Sequence, residues 1–305
     1  MVFGLVPLAI LLTAAPLAAA QDEKPSGNET APAEIIAITL GTVMVLIVAG
    51  GLGFLTLEEV KAARPRRDRV RPARLSLHSR LVLATTAVLL VGGWIAYAFL
   101  EWNRTLEGLA APARGMNALF MSVTARTAGF NTVDYAAAAP ATNFFTIILM
   151  SIGGSPGSMA GGLKTTTIAL IGLLAWSRFR GRDITTIWGR SVPEETVQRA
   201  VGLFAAVFGL VTLAILAFAV LELGGAANPA GHDFLDYMFE ATSAFNTVGL
   251  STGVTAELSG PARGIGIALM FIGRVGPLTF AAALAMSRRP RSGRFRFAYE
   301  DVIVG

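Results

Sequence analysis

The chain of 305 residues has no cysteine and only two histidines, His78 and His232. Without a thiol there is no disulfide framework, no cysteine nucleophile and no thiolate metal site. The order of apolar segments set out below puts one histidine on the cytoplasmic side and the other outside, so they do not share a metal ion. Charge is also scarce. Asp, Glu, Lys and Arg make up 15% of the chain, against about 25% in soluble domains. No histidine and no acidic cluster lies within an apolar run, so a membrane hydrolase or transferase has no base, nucleophile pair or metal to work with. Gly161-Gly162-Leu163-Lys164-Thr165 faintly resembles a phosphate loop, but the strand before it is missing and the spacing to the lysine is wrong. The sequence reads as a non-enzyme.

What the chain does have is apolar length. Hydrophobic residues reach 53%, mean hydropathy is +0.60, and several runs reach the roughly 20 residues that a helix needs to cross a bilayer. Ile35–Leu57, Leu81–Leu100, Ala200–Leu221 and Ile265–Met286 are expected spans. Thr142–Trp176 is too long for one straight span and is interrupted by Gly153–Gly162. Between these lie two shorter pieces, Met116–Arg126 and Phe234–Phe245, which cannot span and are expected to be re-entrant. Met1–Ala20 is apolar and ends in small residues before a polar break, as a signal peptide does, but it lacks a basic start; an uncleaved first span is equally consistent.

The net charge of +5 does not point to nucleic acid, because 18 of the 25 Lys and Arg residues fall in three stretches, Lys61–Arg80, Arg178–Arg199 and Arg288–Arg296. Each follows an apolar run. If all three face the cytoplasm, the positive-inside rule holds throughout, with membrane lipid as the partner and the C-terminus cytoplasmic.

The second half repeats the first. Leu100-Glu101 recurs as Leu221-Glu222, Leu119-Phe120 as Met238-Phe239, Gly129 as Gly249, and Leu149-Met150 as Leu269-Met270, at offsets of 121, 119, 120 and 120 residues. Both copies start and end on one side, so they are parallel repeats of span, short helix, turn and span. The expected fold is all-α, a polytopic membrane protein of potassium-channel-like repeats. Its expected divisions are a signal-like segment over 1–34, a last helix of a preceding repeat over 35–61, repeats over 75–180 and 195–290, and a tail over 291–305. In each repeat a turn follows the short helix: Thr247-Val248-Gly249-Leu250 resembles the Thr-Val-Gly-Tyr-Gly filter of potassium channels, and Thr127-Ala128-Gly129-Phe130 is a looser version of it. A dehydrated potassium ion exchanges its water shell for backbone carbonyls. Glycine gives the backbone freedom to aim them, and the carbonyl end of a short helix favours a cation.

Ser122–Asp134 and Ser243–Gly253 resemble the third and fourth filter regions of Trk/Ktr potassium-uptake subunits (TrkH/KtrB type). Ile152–Thr167 is similar to that family's glycine-rich intramembrane loop, and Phe271–Thr279 to its last inner helix. The resemblance runs from about Ile35 to the C-terminus. It implies a pore subunit of the cell's inner (plasma) membrane, with four repeats around one filter and potassium as substrate with no cofactor. It further implies a homodimer and a cytoplasmic nucleotide-binding regulatory ring. By the same resemblance, carbonyls of Thr127, Ala128, Thr247 and Val248, with Gly129, Phe130, Gly249 and Leu250, form the ion site. The loop residues Gly153, Gly154, Gly157, Gly161, Gly162 and Lys164 form a gate latched by Arg274. An Arg inside a span is costly and tends to be functional; a tie to a free backbone carbonyl is the plainer role for Arg274, compatible with the latch. Glu240 is expected either to raise the local cation concentration or to bond filter amides, Arg126 to point away from the ion and anchor the filter loop, and Glu101 and Glu222 to be solvated helix ends. The chain holds two repeats where the family has four. It is therefore expected to be a truncated product, a half that pairs with a second chain supplying the missing repeats, or one of two copies meeting face to face; a non-conducting or partner-dependent subunit is the alternative function.

Overall fold

The computed structural model describes residues 33–63, 75–182, 184–223 and 231–276. The signal-like segment before Ala33, the end of the last expected span and the tail lie outside the described residues.

Helix α1 (Ala33–Leu52) is followed by α2 (Phe54–Ala63), and the pair is bent by 102°. The expected single span Ile35–Leu57 is therefore corrected to a helix that stops at Leu52. The physical reason is a competition for the end of α1. A helix leaves its last carbonyls without internal partners, and here a distant loop takes them. Met159 donates its N–H to the Gly50 carbonyl at 3.4 Å, and Ser155 donates to Gly51 at 2.9 Å. The Ser155 hydroxyl bonds the Leu52 carbonyl. In the other direction Phe54 donates to the Gly157 carbonyl at 3.3 Å. Beyond the bend, Glu59 accepts from the Ser76 N–H at 2.8 Å, where α3 begins. That bond, helped by the Ser76 and Ser79 hydroxyls, holds the Glu59 carboxyl below the usual carboxylate range.

The first repeat comprises α3 (Leu77–Glu101), α4 (Ala111–Thr124), α5 (Pro140–Met150) and α6 (Thr165–Phe179). A two-stranded hairpin, β1 (Thr186–Ile187) and β2 (Arg190–Ser191), joins it to the second. There α7 (Glu194–Phe218) runs on through a π-turn (Ala219–Leu223), followed by α8 (Phe234–Asn246), a 3₁₀ turn (Val254–Ala256) and α9 (Gly260–Val275). Two helical stretches, Leu77–Glu101 and Glu194–Leu223, are long and apolar enough to cross a bilayer. At 14 and 13 residues, α4 and α8 extend only about 20 Å, short of a hydrocarbon core of about 30 Å. They are buried instead. Tyr97, Met121, Tyr135 and Met150 of the first repeat share one core with Phe239, Val248 and Leu250 of the second.

The two repeats are also capped alike. Glu101 is buried, not solvated. It accepts from the Ala139 N–H at 3.0 Å, where α5 begins, and from the Thr142 and Thr105 hydroxyls. Glu222, equally enclosed, accepts from the Ser259 N–H at 3.0 Å, where α9 begins. Each glutamate ends the outer helix of its repeat and starts the inner one. A carboxylate at a helix N-terminus also meets the positive end of the helix dipole. Expecting a solvated helix end was wrong because acidic residues at span ends look the same in sequence whether they face water or a neighbouring helix.

Glu101→Ala should lower stability by about 2–3 kcal/mol, since it strands a buried N–H and buried hydroxyls. Glu222→Ala strands one N–H and should cost less. Thermal unfolding in detergent measures both; equal losses would contradict the capping account.

Candidate functional site

Each short helix ends in a turn with the same unusual backbone. Thr127 and Gly129 have φ of 64° and 80°, and Thr247 and Gly249 have 51° and 93°. A β-branched residue in the left-handed region is an outlier, yet both threonines adopt it. Ala128 and Val248, between them, stay outside that region. A change in the sign of φ from one residue to the next is a backbone pattern that can aim successive carbonyls to one side of a segment.

The hydrogen bonds that hold the two turns are similar as well, each reaching one residue further back in the second turn. Ala128 donates to the Thr124 carbonyl at 3.1 Å, and Val248 to the Ser243 carbonyl at 2.9 Å. The Thr124 hydroxyl bonds the Phe130 carbonyl, and the Ser243 hydroxyl bonds the Leu250 carbonyl at 2.6 Å. Phe130 and Leu250 thus each have one carbonyl lone pair engaged, which separates them from the residues just before. The turns meet at their glycines: a Cβ on Gly129 would lie 2.3 Å from the Val248 carbonyl oxygen. No residue larger than glycine fits there.

Glu240 is buried in α8 behind the second turn. It accepts from the Ser251 hydroxyl, and from the Thr255 hydroxyl at 2.7 Å. It therefore braces the segment that leaves the turn, through these hydroxyls and the Thr252 backbone N–H.

Beneath the turns runs the glycine-rich segment between α5 and α6. Gly153 donates to the Leu163 carbonyl at 2.8 Å, closing the loop on itself, and Thr165 donates to Gly154 at 3.0 Å. Gly162 donates to the Gly273 carbonyl at 3.2 Å. A Cβ on Gly162 would fall 1.9 Å from Asn246 Oδ1, and one on Gly273 would fall 1.6 Å from the Phe245 carbonyl oxygen. Loop, last helix and second turn are packed backbone to backbone. Three cationic side chains grip loop carbonyls. Arg274 donates to Met159 at 2.6 Å, Lys164 to Ala160 at 2.6 Å, and Arg126 to Gly153 at 3.3 Å. Arg126, buried, therefore reaches the loop below and not the filter segment it was expected to anchor. Gly157 packs against the Phe54 ring just past the α1 bend.

The sequence-predicted residues are thus brought together in two layers. Thr127–Phe130 and Thr247–Leu250 form the upper one, and Gly153–Lys164 with Arg274 the lower. Among the described residues no group of His, Asp and Glu is arranged to hold a metal ion. The hydroxyl braces Thr124 and Ser243, the caps Glu101 and Glu222, and the reach of Arg126 went unread in sequence. The offset of about 120 residues pairs Thr124 with Ser243 and could have marked that pair.

A family model described as TrkH, cation transport protein, matches residues 36–291. The chain belongs to the TrkH family. Its fold is mostly helical, as is expected of that family, and the family is one of membrane transporters, not of enzymes. The chain is 36% identical over 264 residues to the potassium/sodium uptake protein NtpJ of Enterococcus hirae, covering 86% of this chain and 56% of the relative. It is 33% identical over 262 residues to the Ktr system potassium uptake protein B of Vibrio alginolyticus, covering 85% and 54%. The crystal structure of the potassium transporter TrkH from Vibrio parahaemolyticus shares the fold, with a TM-score of 0.61 at 20% identity, over 81% of this chain and 52% of that one. The chain spans about half the length of the curated relatives it matches.

Gly273→Ala should force α9 away from the second turn and lower stability by about 1–3 kcal/mol, the cost of overpacking. Gly264→Ala, in the same helix with open space around it, should change stability by less than about 0.5 kcal/mol. Thermal unfolding of the two variants side by side measures the contrast.

Proposed function

We propose that this chain supplies two walls of a potassium-conducting filter in a cell membrane, with the glycine-rich loop as the gate beneath it. The observation that carries this is the pair of matching turns. Each sets a threonine and a glycine at positive φ at the end of a short buried helix, and the two meet glycine to glycine. Backbone strain of this kind persists where its surroundings over-determine it, and it clusters at functional sites. The carbonyls of Thr127, Ala128, Thr247 and Val248 then replace part of the ion's water shell. The buried Thr247 hydroxyl has no partner among the described residues and adds an oxygen at the inner end of the segment. With a single glycine at the core of each turn, the filter is short and its preference for potassium over sodium modest.

In this account the bonds from Arg274 and Arg126 hold the loop closed, because each neutralises a carbonyl that a passing ion would otherwise meet. The stretches rich in arginine support a cytoplasmic C-terminus. A homodimer and a cytoplasmic nucleotide-binding regulatory subunit belong to the same proposal by kinship with the Trk and Ktr proteins. A second reading follows from the span of about half of those relatives: two turns form half a ring, and conduction then requires the complementary half from other repeats.

Rescue of a potassium-uptake-deficient bacterium at low potassium tests the proposal, with rubidium uptake as the quantitative readout. Gly249→Ser and Gly129→Ser should each abolish uptake by an active assembly, while Val248→Ile should retain it. Growth from this chain alone, lost in both glycine variants, would mean that copies of it complete the ring. Growth only on co-expression of the complementary repeats would favour the second reading. Unchanged uptake in the Gly249 variant of an active assembly would refute the filter.

A further inference from the structure

The hairpin between the repeats carries a residue its turn does not favour. Thr186 pairs with Ser191 and Ile187 with Arg190, so the loop is the two residues Trp188-Gly189. Both have positive φ, 48° and 74°, which is a type I′ turn. That turn strongly prefers Asn-Gly, because asparagine tolerates the left-handed region and a bulky residue does not. Among the described residues Trp188 shares its backbone state, glycine aside, only with Thr127 and Thr247. Yet Trp188 is not enclosed in return: it is 54% exposed. A large aromatic residue held in strain and more than half exposed is available to a ligand outside the described fold.

Its neighbours define that ligand. The hairpin is pinned to the end of α6, since the Ser177 hydroxyl bonds the Ile184 carbonyl at 3.0 Å and Arg182 donates its N–H to the Ser177 carbonyl at 3.0 Å. On the same end, Phe179 is 89% exposed, Ile184 60% and Trp176 58%. The Arg180 guanidinium stacks over the Trp176 ring at 4.7 Å. Arg178, Arg182 and Arg190 lie in the same stretch, against the single acid Asp183 between Trp176 and Ser191. Depth fits too. Helix α6 starts at the intramembrane loop and extends 15 residues, about 22 Å, which carries its last turn through half a bilayer to the headgroup level. Aromatic rings beside arginines at that level match the interfacial belt of membrane proteins and an anionic leaflet.

We propose that the tip of this hairpin and the end of α6 form an anchoring site for anionic lipid headgroups, with Trp188 set in the acyl boundary and Arg180 and Arg190 on the phosphate. The site is independent of ion conduction and stands whether or not the filter conducts.

The test uses the full chain in nanodiscs, with Trp94, Trp102 and Trp176 replaced by Phe so that Trp188 is the one reporter. Phosphatidylglycerol brominated near the headgroup should quench Trp188 more strongly than equally brominated phosphatidylcholine at the same fraction. Arg180→Gln and Arg190→Gln should erase that preference, each lowering phosphatidylglycerol retention in native mass spectrometry about fivefold. Trp188→Asn separates recognition from folding. It installs the favoured Asn-Gly turn, so the hairpin stays formed or tightens while lipid retention drops. Equal quenching by both lipids would overturn the headgroup site, leaving apolar insertion alone. Free access of acrylamide to Trp188 with no lipid quenching would overturn it in favour of a solvated tip. Shielding that appears only in membranes retaining their cytoplasmic proteins would overturn it in favour of a protein partner.

Discussion

The constraint on which the rest of this structure depends is that backbone polar groups at membrane depth must find partners. Helices satisfy it internally except at their ends and at breaks, and this chain contains many of both. The carbonyls that end α1 are answered by Ser155 and Met159 of the glycine-rich loop. The N-termini of α5 and α9 are answered by Glu101 and Glu222. The last carbonyls of the two turns are answered by Thr124 and Ser243. The carbonyls of the loop itself are answered by three cations. Irregular backbone survives at this depth because it is enclosed by other backbone, and the near-contacts at Gly129, Gly162 and Gly273 show how closely.

The same accounting explains what was legible in the sequence. Patterns of composition and length are visible one residue at a time, so the spans, the non-spanning short helices and the glycine break could be read directly. The repeat offset was legible for the same reason, and it carried the two turns with it. Partnerships across space leave no such trace. The stop of α1 at Leu52 has a local trace in Gly50-Gly51-Leu52-Gly53, where Gly53 has φ of 76°, but its partner Ser155 lies about a hundred residues away and leaves none. Arg126 could be recognised as a cation just before the first turn, but its direction depends on where Gly153 lies. The left-handed threonines were hidden more deeply. Threonine ordinarily avoids that region, so local propensity points away from what both turns do.

Where the two repeats differ is as informative as where they agree. Arg126 and Asn246 hold equivalent positions, one residue before their threonines. The first sends a charge to the Gly153 carbonyl; the second bonds back to its own helix, at the Thr242 carbonyl, and packs against Gly162. Likewise α5 breaks after Met150 into the loop, whereas the equivalent α9 continues to Val275. The loop is thus a property of one repeat, fitted under the turn of the other, and it cannot move without disturbing both. Two identical repeats would leave the space beneath the turns open or block it twice. One broken helix, seated against one intact helix, gives a single loop tied to that intact helix through Arg274 and Gly273. That asymmetry leaves one loop, carried by the first repeat and packed against the second, beneath two matching turns.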